Sequence, residues 1–224
     1  MSTIEIRHLY KRYNEDKPNA FDALKDINLV IEDAQMVILK GVSGSGKSTL
    51  LNLIGGLGKP SEGEICVNGH NIAKLPDIAG SHFRHKEVGF IFQSFHLLEA
   101  LSVYDNVQAP LSLLPLSTLQ KEEKVLEAMR LANIAHKKEQ TVAHLSGGEK
   151  QRCAIARALV MNPSIILADE PTANLDQENA QHFLESLKLF KALKKTVIVA
   201  THDSLFDGLD MVDRYIFMHD GKMI

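Results

Sequence analysis

The sequence has 224 residues, 45% hydrophobic and 24% charged, which predicts one globular domain with its own core. The formal net charge of −3 lacks the basic excess of a nucleic-acid-binding surface, so we expect no nucleic-acid partner. The two cysteines, Cys66 and Cys153, match no disulfide or metal-site spacing and are predicted to be inert thiols. No signal peptide and no run of roughly 18 to 20 apolar residues is visible, so a soluble, cytoplasmic protein is expected.

The first third of the chain is predicted to form strands joined by tight turns. Asn68-Gly69 separates two short strands, since this pair supplies the positive φ angles of a hairpin turn. Residues 36–40 form a short apolar strand that leads into a glycine-rich loop. A helix is predicted from Lys47, and Gly55-Gly56 ends it.

The middle of the chain, from about residue 96 to 150, is predicted to contain helices and no strand. Pro110 and Pro115 mark a loop, and residues 121–132 form an amphipathic helix. A further helix covers residues 149–160.

The last third alternates buried strands with helices. Residues 164–170 and 196–203 are predicted strands, residues 177–192 a helix, and a final hairpin turns at Asp220-Gly221. Apolar strands alternating with helices predict a mostly parallel sheet with helices on both faces.

The segment GVSGSGKS at residues 41–48 matches G-x-x-x-x-G-K-[ST] in full, with a strand before it and a helix after it. Backbone N–H groups of such a loop and the positive end of the helix bind phosphate. Lys47 would reach the β- and γ-phosphates, and the Ser48 hydroxyl would bind Mg²⁺. The alternative is a chance glycine-rich turn.

Polar residues at the ends of the two buried strands are candidates for hydrolysis. Asp169 would hold Mg²⁺, and Glu170 would face the attacking water, because adjacent strand residues point in opposite directions. His202 ends the other strand, at the edge where ligands bind in open α/β sheets. The alternatives are a solvated strand edge and a structural histidine. Other histidines are predicted to be ordinary surface residues: His82, His85 and His136.

Two further candidates rest on weaker patterns. Gln93 follows a short apolar strand, where an amide could bind Mg²⁺ or orient water, although such glutamines are commonly inert. Tyr13 lies among basic residues and offers a flat face to a purine. Tyr10 and Phe21 compete with it for that role.

Residues 145–160 contain a second glycine loop at the start of a helix. Ser146 would cap this helix, with Glu149 completing a capping box. Capping does not explain Gly147 and Gly148, which cost backbone entropy unless another group approaches closely. The same loop is therefore also a candidate anion site.

The segments GVSGSGKS, Gln93, LSGGEKQR, IILADEPT, ANLD and THD, in this order, resemble the nucleotide-binding subunit of ATP-binding cassette (ABC) transporters. LSGGE is the specific part, since phosphate loops occur across many ATPases. The resemblance covers essentially the whole chain and implies an α/β fold, a P-loop NTPase with a RecA-like, mostly parallel sheet core and an N-terminal antiparallel β sub-domain. The core would comprise about residues 1–95 and 155–224, and an inserted α-helical sub-domain about residues 96–154.

The resemblance also implies ATP and Mg²⁺ as ligands and a role for each site residue. Tyr13 would stack on adenine, Gln93 would sense the membrane partner, and Glu170 would be the catalytic carboxylate. Asp176 would belong to the D-loop, and His202 would lie near the γ-phosphate. The implied phosphate-loop contacts are Gly41, Ser43, Gly44, Ser45, Gly46, Lys47, Ser48 and Thr49. The implied Mg²⁺ ligands are Ser48, Gln93 and Asp169.

In this family two subunits dimerise head to tail, and the signature residues of one cover the γ-phosphate bound by the other. The resemblance therefore implies that Ser146, Gly147 and Gly148 act on the partner's ATP, and it favours a homodimer. A separate transmembrane permease is the other implied partner, with this protein peripheral on the cytoplasmic face of the inner membrane. The segment after Gln93 would line the groove for that partner, the alternative being interior packing. Its apolar residues are Phe95, Leu97, Leu98, Leu101 and Val103.

Within the family, GGLGKPSEGEI, FIFQSFHLL and LADEPTANLD most resemble the lipoprotein-release, macrolide-export and cell-division ATPases (the LolD/MacB/FtsE group). Ala173 departs from the glycine that many of that group carry. The implied function is ATP-driven export or lipoprotein release. The alternatives are a non-transport membrane complex of the cell-division type and a soluble ABC ATPase acting on DNA or ribosomes.

Overall fold

A computed structural model of the chain describes residues 4–224, so the first three residues of the predicted core segment 1–95 lie outside the described part. The strands are β1 Ile4–Tyr13, β2 Phe21–Ile31, β3 Met36–Lys40, β4 Glu62–Val67, β5 His70–Asn71, β6 Val88–Ile91, β7 Ile165–Asp169, β8 Thr196–Thr201, β9 Arg214–His219 and β10 Lys222–Met223. The α-helices are α1 Lys47–Ile54, α2 Asp77–Glu87, α3 Val103–Gln108, α4 Thr118–Leu131, α5 Gly147–Leu159 and α6 Gln177–Ala192.

The strands form two sheets, and both confirm the predicted fold class. The larger sheet has the order β10-β9-β3-β8-β7-β6, in which every pairing except β9 with β10 is parallel. The smaller sheet has the order β2-β1-β4-β5 and is antiparallel throughout. Parallel strands need long crossover connections, which the helices provide.

The central strand β3 is buried on both faces, as its unbroken apolar run predicts. Val37 and Leu39 pack with α1 and the antiparallel sheet, whereas Met36 and Ile38 pack with α3 to α6. The hydrophobic cluster that contains Met36 and Ile38 also encloses Cys153. Burial raises the pKa of the Cys153 thiol to about 12, which disfavours the reactive thiolate and agrees with the predicted inert thiol.

The two predicted hairpins are confirmed, because turn chemistry is local. Asn68 and Gly69 have φ angles of 53° and 77°, and Asp220 and Gly221 have 46° and 74°. Helix α2 was not predicted; none of its residues is fully buried, although Phe83 packs against the core. The predicted loop at Pro110 is wrong, because this residue lies in a 3₁₀ helix over residues 109–113.

Two helices of the middle segment, α4 and α5, begin and end at other residues than predicted. Helix α4 starts three residues before the predicted residue 121, because Ser117 and Gln120 form a capping box there. Helix α5 runs across residue 154, and Cys153 and Ile155 belong to one hydrophobic cluster with the sheet. The sub-domain boundary at residues 154–155 therefore stays a prediction.

Candidate active site

The predicted phosphate loop joins β3 to α1 and has the backbone of an anion-binding turn. Gly44 and Gly46 have φ angles of 80° and 102°, in the left-handed region that favours glycine. A Cβ on Gly46 would lie 2.6 Å from the carbonyl oxygen of Ala23. No side chain caps the start of α1, which leaves the first N–H groups of this helix for a ligand.

Lys47 is buried at the start of α1, with 4% of its surface exposed. Its ammonium group donates to the carbonyl oxygens of Gly41 at 2.7 Å and Val42 at 3.1 Å. It also lies 3.6 Å from Oε1 of Glu170. A buried ammonium group needs such partners, because desolvating an unpaired charge is costly. The charge is therefore held inside the loop, beside a candidate catalytic carboxylate.

Ser48 and Asp169 are in direct contact although they are far apart in the sequence. The Ser48 hydroxyl donates to Oδ1 of Asp169 at 2.8 Å. Burial raises the pKa of the Asp169 carboxyl, more than this hydrogen bond lowers it. A hydroxyl and a carboxylate are oxygen ligands of the kind that Mg²⁺ accepts beside phosphate oxygens and water. The donor set therefore fits Mg²⁺.

Glu170 does not continue β7, which ends at Asp169. Its backbone turns, with a φ of 43°, and its N–H donates to the carbonyl oxygen of Ala200 at 2.8 Å. Strand alternation was therefore the wrong reason for separating the two carboxylates. They nevertheless have different partners, since Asp169 contacts Ser48, and the Glu170 carboxylate oxygens lie 3.0 and 3.1 Å from Nδ1 of His202.

An open cleft of about 480 Å³ brings most of the predicted contacts together. The predicted residues that line it are Tyr13, Ser43, Gly44, Ser45, Gly46, Lys47, Ser48, Thr49, Gln93 and Glu170. Gly41, Asp169 and His202 adjoin it through their contacts with residues in that set. Sequence reasoning did not assign the other lining residues, which are Asp22, Ala23, Lys25, Asp220 and Gly221, together with the competing aromatic Phe21.

The final hairpin turn contacts the phosphate loop, which no local pattern predicts. The Gly221 N–H donates to the carbonyl oxygen of Ser45 at 3.1 Å, and the Gly221 carbonyl accepts from the N–H of Lys25 at 2.8 Å. The Lys25 ammonium group pairs with Asp220 at 2.8 Å. The turn itself could be found in the sequence. Its contact with the phosphate loop could not, because that contact depends on β9 pairing with β3.

Two aromatic rings form one wall of the cleft. Tyr13 and Phe21 occupy paired positions of β1 and β2, and their rings stack with centroids 5.5 Å apart. The ammonium group of Lys11 lies 4.9 Å from the centroid of the Tyr13 ring. Tyr10 does not line the cleft, so Phe21 is the competitor that remains. The two rings together offer a surface on which a purine can stack.

Gln93 lines the same cleft, shortly after β6 ends. The backbone carbonyl oxygen of Gln93 accepts from Nδ2 of Asn174 at 2.8 Å. Farther along this loop, the guanidinium group of Arg157 in α5 donates to the carbonyl oxygens of Phe95 and His96, both of which have positive φ angles. The loop that follows Gln93 is therefore tied to the helix that carries the second glycine loop.

The second glycine loop is capped within its own helix. The Ser146 hydroxyl accepts from the N–H of Glu149 at 3.3 Å, and the Glu149 carboxylate accepts from the N–H of Ser146 at 2.8 Å. This backbone hydrogen bond lowers the pKa of the Glu149 carboxyl. The predicted capping box is confirmed.

The two glycines of this loop differ in their surroundings. Gly148 is buried, and a Cβ there would overlap the side chain of Asn179 in α6. Gly147 is exposed, and a Cβ there would lie 3.4 Å from its nearest neighbour, the carbonyl oxygen of Asn174. The contact with Asn179 thus explains why position 148 is a glycine, and the sequence did not reveal this contact. The ligand contacts predicted for both glycines stay predictions.

The structure leaves the second loop outside the cleft of its own chain. Ser146, Gly147 and Gly148 are absent from the cleft lining, and so is Asp176. Asp176 caps α6 by accepting from the N–H of Asn179 at 2.8 Å, and this bond lowers the pKa of the Asp176 carboxyl. Asp176 therefore bonds to Asn179, the residue of α6 that borders Gly148, and does not line the cleft of the phosphate loop.

A family profile described as "ABC transporter" matches residues 24–173. The chain belongs to the ABC transporter ATP-binding family. The lipoprotein-releasing system ATP-binding protein LolD of Saccharophagus degradans is 41% identical over 206 residues, which cover 91% of this chain and 90% of that protein. The ABC transporter ATP-binding protein YxdL of Bacillus subtilis is 37% identical over 224 residues, which cover 98% of this chain and 84% of that protein.

Solved ABC cassettes share the fold. The dimeric, post-hydrolysis structure of the cassette MJ0796 bound to ADP and Pi matches with a TM-score of 0.89 and 36% identity, over 98% of this chain and 96% of that chain. The chain is thus an ABC ATPase, which binds and hydrolyses ATP. Across residues 4–224 of this ABC ATPase, no helix is both long enough and apolar enough to cross a membrane.

The apolar segment after Gln93 divides between interior and surface. Val103 is fully buried in the core, and Leu97 packs against it. Leu98 and Leu101 instead expose 54% and 40% of their surface. Interior packing therefore accounts for part of the segment, whereas Leu98 and Leu101 remain available to a partner.

His85 is not the ordinary surface residue that the sequence predicted. It is half-buried, and its Nε2 lies 2.6 Å from the carbonyl oxygen of Pro110, because α2 packs against the 3₁₀ helix. His85 lines two cavities of the ABC ATPase, of about 340 and 410 Å³. The second of these cavities is also lined by Ile78 and Leu113, whose side chains are largely exposed.

Proposed function

We propose that this ABC ATPase works as a head-to-tail homodimer that drives a separate membrane permease from the cytoplasmic face of the inner membrane. One observation carries the proposal of a dimer: the cleft contains the phosphate loop and Glu170, whereas Ser146 and Gly147 lie exposed outside it. A twofold dimer would bring the α5 helix end of one chain to the ATP of the other. The dimeric state of the MJ0796 cassette supports this arrangement.

ATP would bind with its base on the aromatic wall and its phosphates along the first loop. Lys47, already 2.7 Å from a loop carbonyl, would contact the β- and γ-phosphate oxygens. Ser48 and Asp169 would hold Mg²⁺, with the Gln93 amide as a further ligand. Bound there, Mg²⁺ would neutralise charge that develops on the transferred phosphoryl group.

Hydrolysis would depend on Glu170 and His202. The Glu170 carboxylate would polarise the attacking water, and its contact with His202 at 3.0 Å fixes its orientation. Phosphoryl transfer is catalysed mainly by positioning and charge stabilisation. Lys47 would supply this charge in cis, and the N–H groups of Gly147 and Gly148, which are not part of the capping box, would supply it in trans.

The permease would dock in the groove beside α2 and the loop after Gln93. Two exposed apolar pairs would contribute to it: Leu98 with Leu101 after Gln93, and Ile78 of α2 with Leu113. Such patches are typical of protein interfaces. The similarity to LolD favours lipoprotein release or export as the driven process, and the permease would then have few membrane spans and a large periplasmic part.

Ser146→Arg tests the dimer. In a Glu170→Gln background, we expect ATP to produce a dimer by size-exclusion chromatography with light scattering, and Ser146→Arg to abolish it while the monomer still binds nucleotide. Ser117→Arg is the matched control, because Ser117 caps α4 with the same type of capping box. ATP-driven dimers of the Ser146→Arg protein would contradict the trans site.

Leu98→Asp tests the partner. We expect a permease encoded by a neighbouring gene to co-purify with the wild-type protein and to be lost with Leu98→Asp. Leu193→Asp, which changes a leucine at the end of α6 with 38% exposure, should retain it. Equal retention by both variants would place the permease on another face.

A further inference from the structure

Lys40 is a buried lysine next to the phosphate loop that the sequence patterns did not single out. It is the last residue of β3, and its side chain is only 10% exposed. The ammonium group donates to the carbonyl oxygen of Asp203 at 2.7 Å and lies 2.6 Å from Oδ1 of Asp207. Because a buried ammonium group requires close partners, these two contacts fix the side chain.

Both partners of Lys40 belong to one loop, residues 202–207, which begins with the candidate catalytic His202. The parallel ladder between β3 and β8 ends at the pair Lys40 and Thr201, one residue before His202. Backbone pairing to β3 therefore stops where the loop begins. The Lys40 side chain continues the attachment beyond that point.

Asp203 connects this loop to a third segment. Its carboxylate accepts from the N–H of Leu205 at 2.9 Å and from the hydroxyl of Thr172 at 2.8 Å. Thr172 lies two residues after Glu170. Lys40 and Asp203 thus link the strand that enters the phosphate loop, the His202 loop and the turn that carries Glu170.

We propose that Lys40 is a positioning residue for ATP hydrolysis, which holds the His202 loop in register with Glu170 and the phosphate loop. The inference rests on the proposed function, because it concerns the same site. Lys40 does not line the cleft, so it acts through the loop that it holds. Its removal should therefore affect turnover more than ATP binding.

Lys40→Met keeps the length of the side chain and removes its charge. We expect kcat to fall by about 10- to 100-fold, the usual consequence of displacing a catalytic group by roughly 1 Å. The Kd for a non-hydrolysable ATP analogue, measured by calorimetry, should change by less than about 3-fold. Lys40→Arg retains the charge and the donors and should restore most of the turnover.

Asp207→Asn tests the same ion pair from its other side. Asp207 is 58% exposed and stays solvated when the pair is lost, so this variant should lower kcat by less than Lys40→Met. The double variant should have the same kcat as Lys40→Met alone, because both changes remove one interaction. An additive loss in the double variant would contradict a shared role.

Lys191→Met is the matched control. The Lys191 ammonium group also donates to a backbone carbonyl, that of Met211 at 2.6 Å, and to a carboxylate, that of Asp213 at 3.0 Å. None of these three residues lines the cleft. We expect this variant to melt at a lower temperature and to hydrolyse ATP at the wild-type rate.

A spectroscopic measurement separates positioning from a general loss of stability. The imidazole NMR signal of His202, assigned by its absence in His202→Ala, should shift in Lys40→Met and not in Lys191→Met. Unchanged kcat in Lys40→Met, or equal losses of kcat and nucleotide affinity, would overturn the inference. A wild-type protein that fails to hydrolyse ATP would instead overturn the proposed function. If Lys40→Met does not fold, Asp207→Asn and Lys40→Arg carry the same test.

Discussion

The two glycine loops open two helices of one chain, yet their surroundings are opposite. The start of α1 has no side-chain cap, and Lys47, Glu170 and the final hairpin turn enclose its loop. The start of α5 is capped by Ser146 and Glu149, and its loop lies outside the cleft. The first loop therefore has both features that favour phosphate binding, a nearby ammonium group and uncapped N–H groups. The second loop has a capped helix start and lies outside the cleft.

The largest expected effect concerns Glu170, the carboxylate beside the first loop. Glu170→Gln keeps the shape of the side chain and removes the carboxylate that we propose as the general base, so we expect kcat to fall by about 1,000-fold. Affinity for ATP should remain within about 3-fold, since Lys47 and the loop are unchanged. A steady-state ATPase assay with a parallel binding titration measures both, and wild-type turnover would contradict the role of Glu170.

A pair of lysine variants compares the two loops directly. Lys47→Ala removes charge-assisted hydrogen bonds to phosphate and should weaken ATP binding by about 10- to 100-fold. Lys150→Ala, in the first turn of α5, removes only a surface ion pair with Glu99 at 3.1 Å and should leave the affinity unchanged. Calorimetric titration of both monomers with ATP would show whether only the first loop contributes to ATP affinity, as its place in the cleft indicates.

The two glycines of the second loop should differ in stability when changed to alanine. Gly148→Ala forces a Cβ into Asn179 and should lower the free energy of unfolding by about 1 to 3 kcal/mol. Gly147→Ala has room for its Cβ, and the unfolding free energy should change by less than about 1 kcal/mol, because alanine favours helices. Denaturant unfolding measures both, and Asn179→Ala should partly rescue Gly148→Ala. Equal losses in the two single variants would show that the contact with Asn179 is unimportant.

The smallest expected effects are changes in melting temperature, and they have opposite signs for the two carboxyls beside the glycine loops, Asp169 and Glu149. The raised pKa of Asp169 means that its ionised form destabilises the fold, so Asp169→Asn should raise the melting temperature at neutral pH. This gain should shrink as pH falls through the raised pKa and vanish below 3.8, the ordinary pKa of an aspartate in the unfolded chain. The lowered pKa of Glu149 contributes stability above 4.5, the ordinary pKa of a glutamate in the unfolded chain, so Glu149→Gln should lower the melting temperature at neutral pH.

Melting curves of these two variants between about pH 3 and pH 8 would test both signs, since the unfolded state titrates within this range. The loss in Glu149→Gln should disappear as pH falls below the folded-state pKa of Glu149. A pH-independent difference from the wild type would show that neither carboxyl is shifted by its surroundings.

The sequence by itself determined the elements that carry the site. The apolar runs of β3, β7 and β8 and the turns at residues 68–69 and 220–221 are local features that the pattern located. Strands β7 and β8 nevertheless end at Asp169 and Thr201, before the predicted ends at residues 170 and 203. The motif residues were recognisable because phosphate binding requires glycine, lysine and serine at fixed spacing along one segment. Helix α2 was missed, and it buries none of its residues fully.

Only the tertiary structure decided which of these segments meet. The hairpin turn beside Ser45 and the side chain of Asn179 against Gly148 both join residues that are distant in the sequence, and neither contact was predicted. The Lys40 contacts with the His202 loop are of the same kind. Such contacts depend on the order and register of strands, which a local pattern does not specify, because many strand orders bury the same apolar residues equally well.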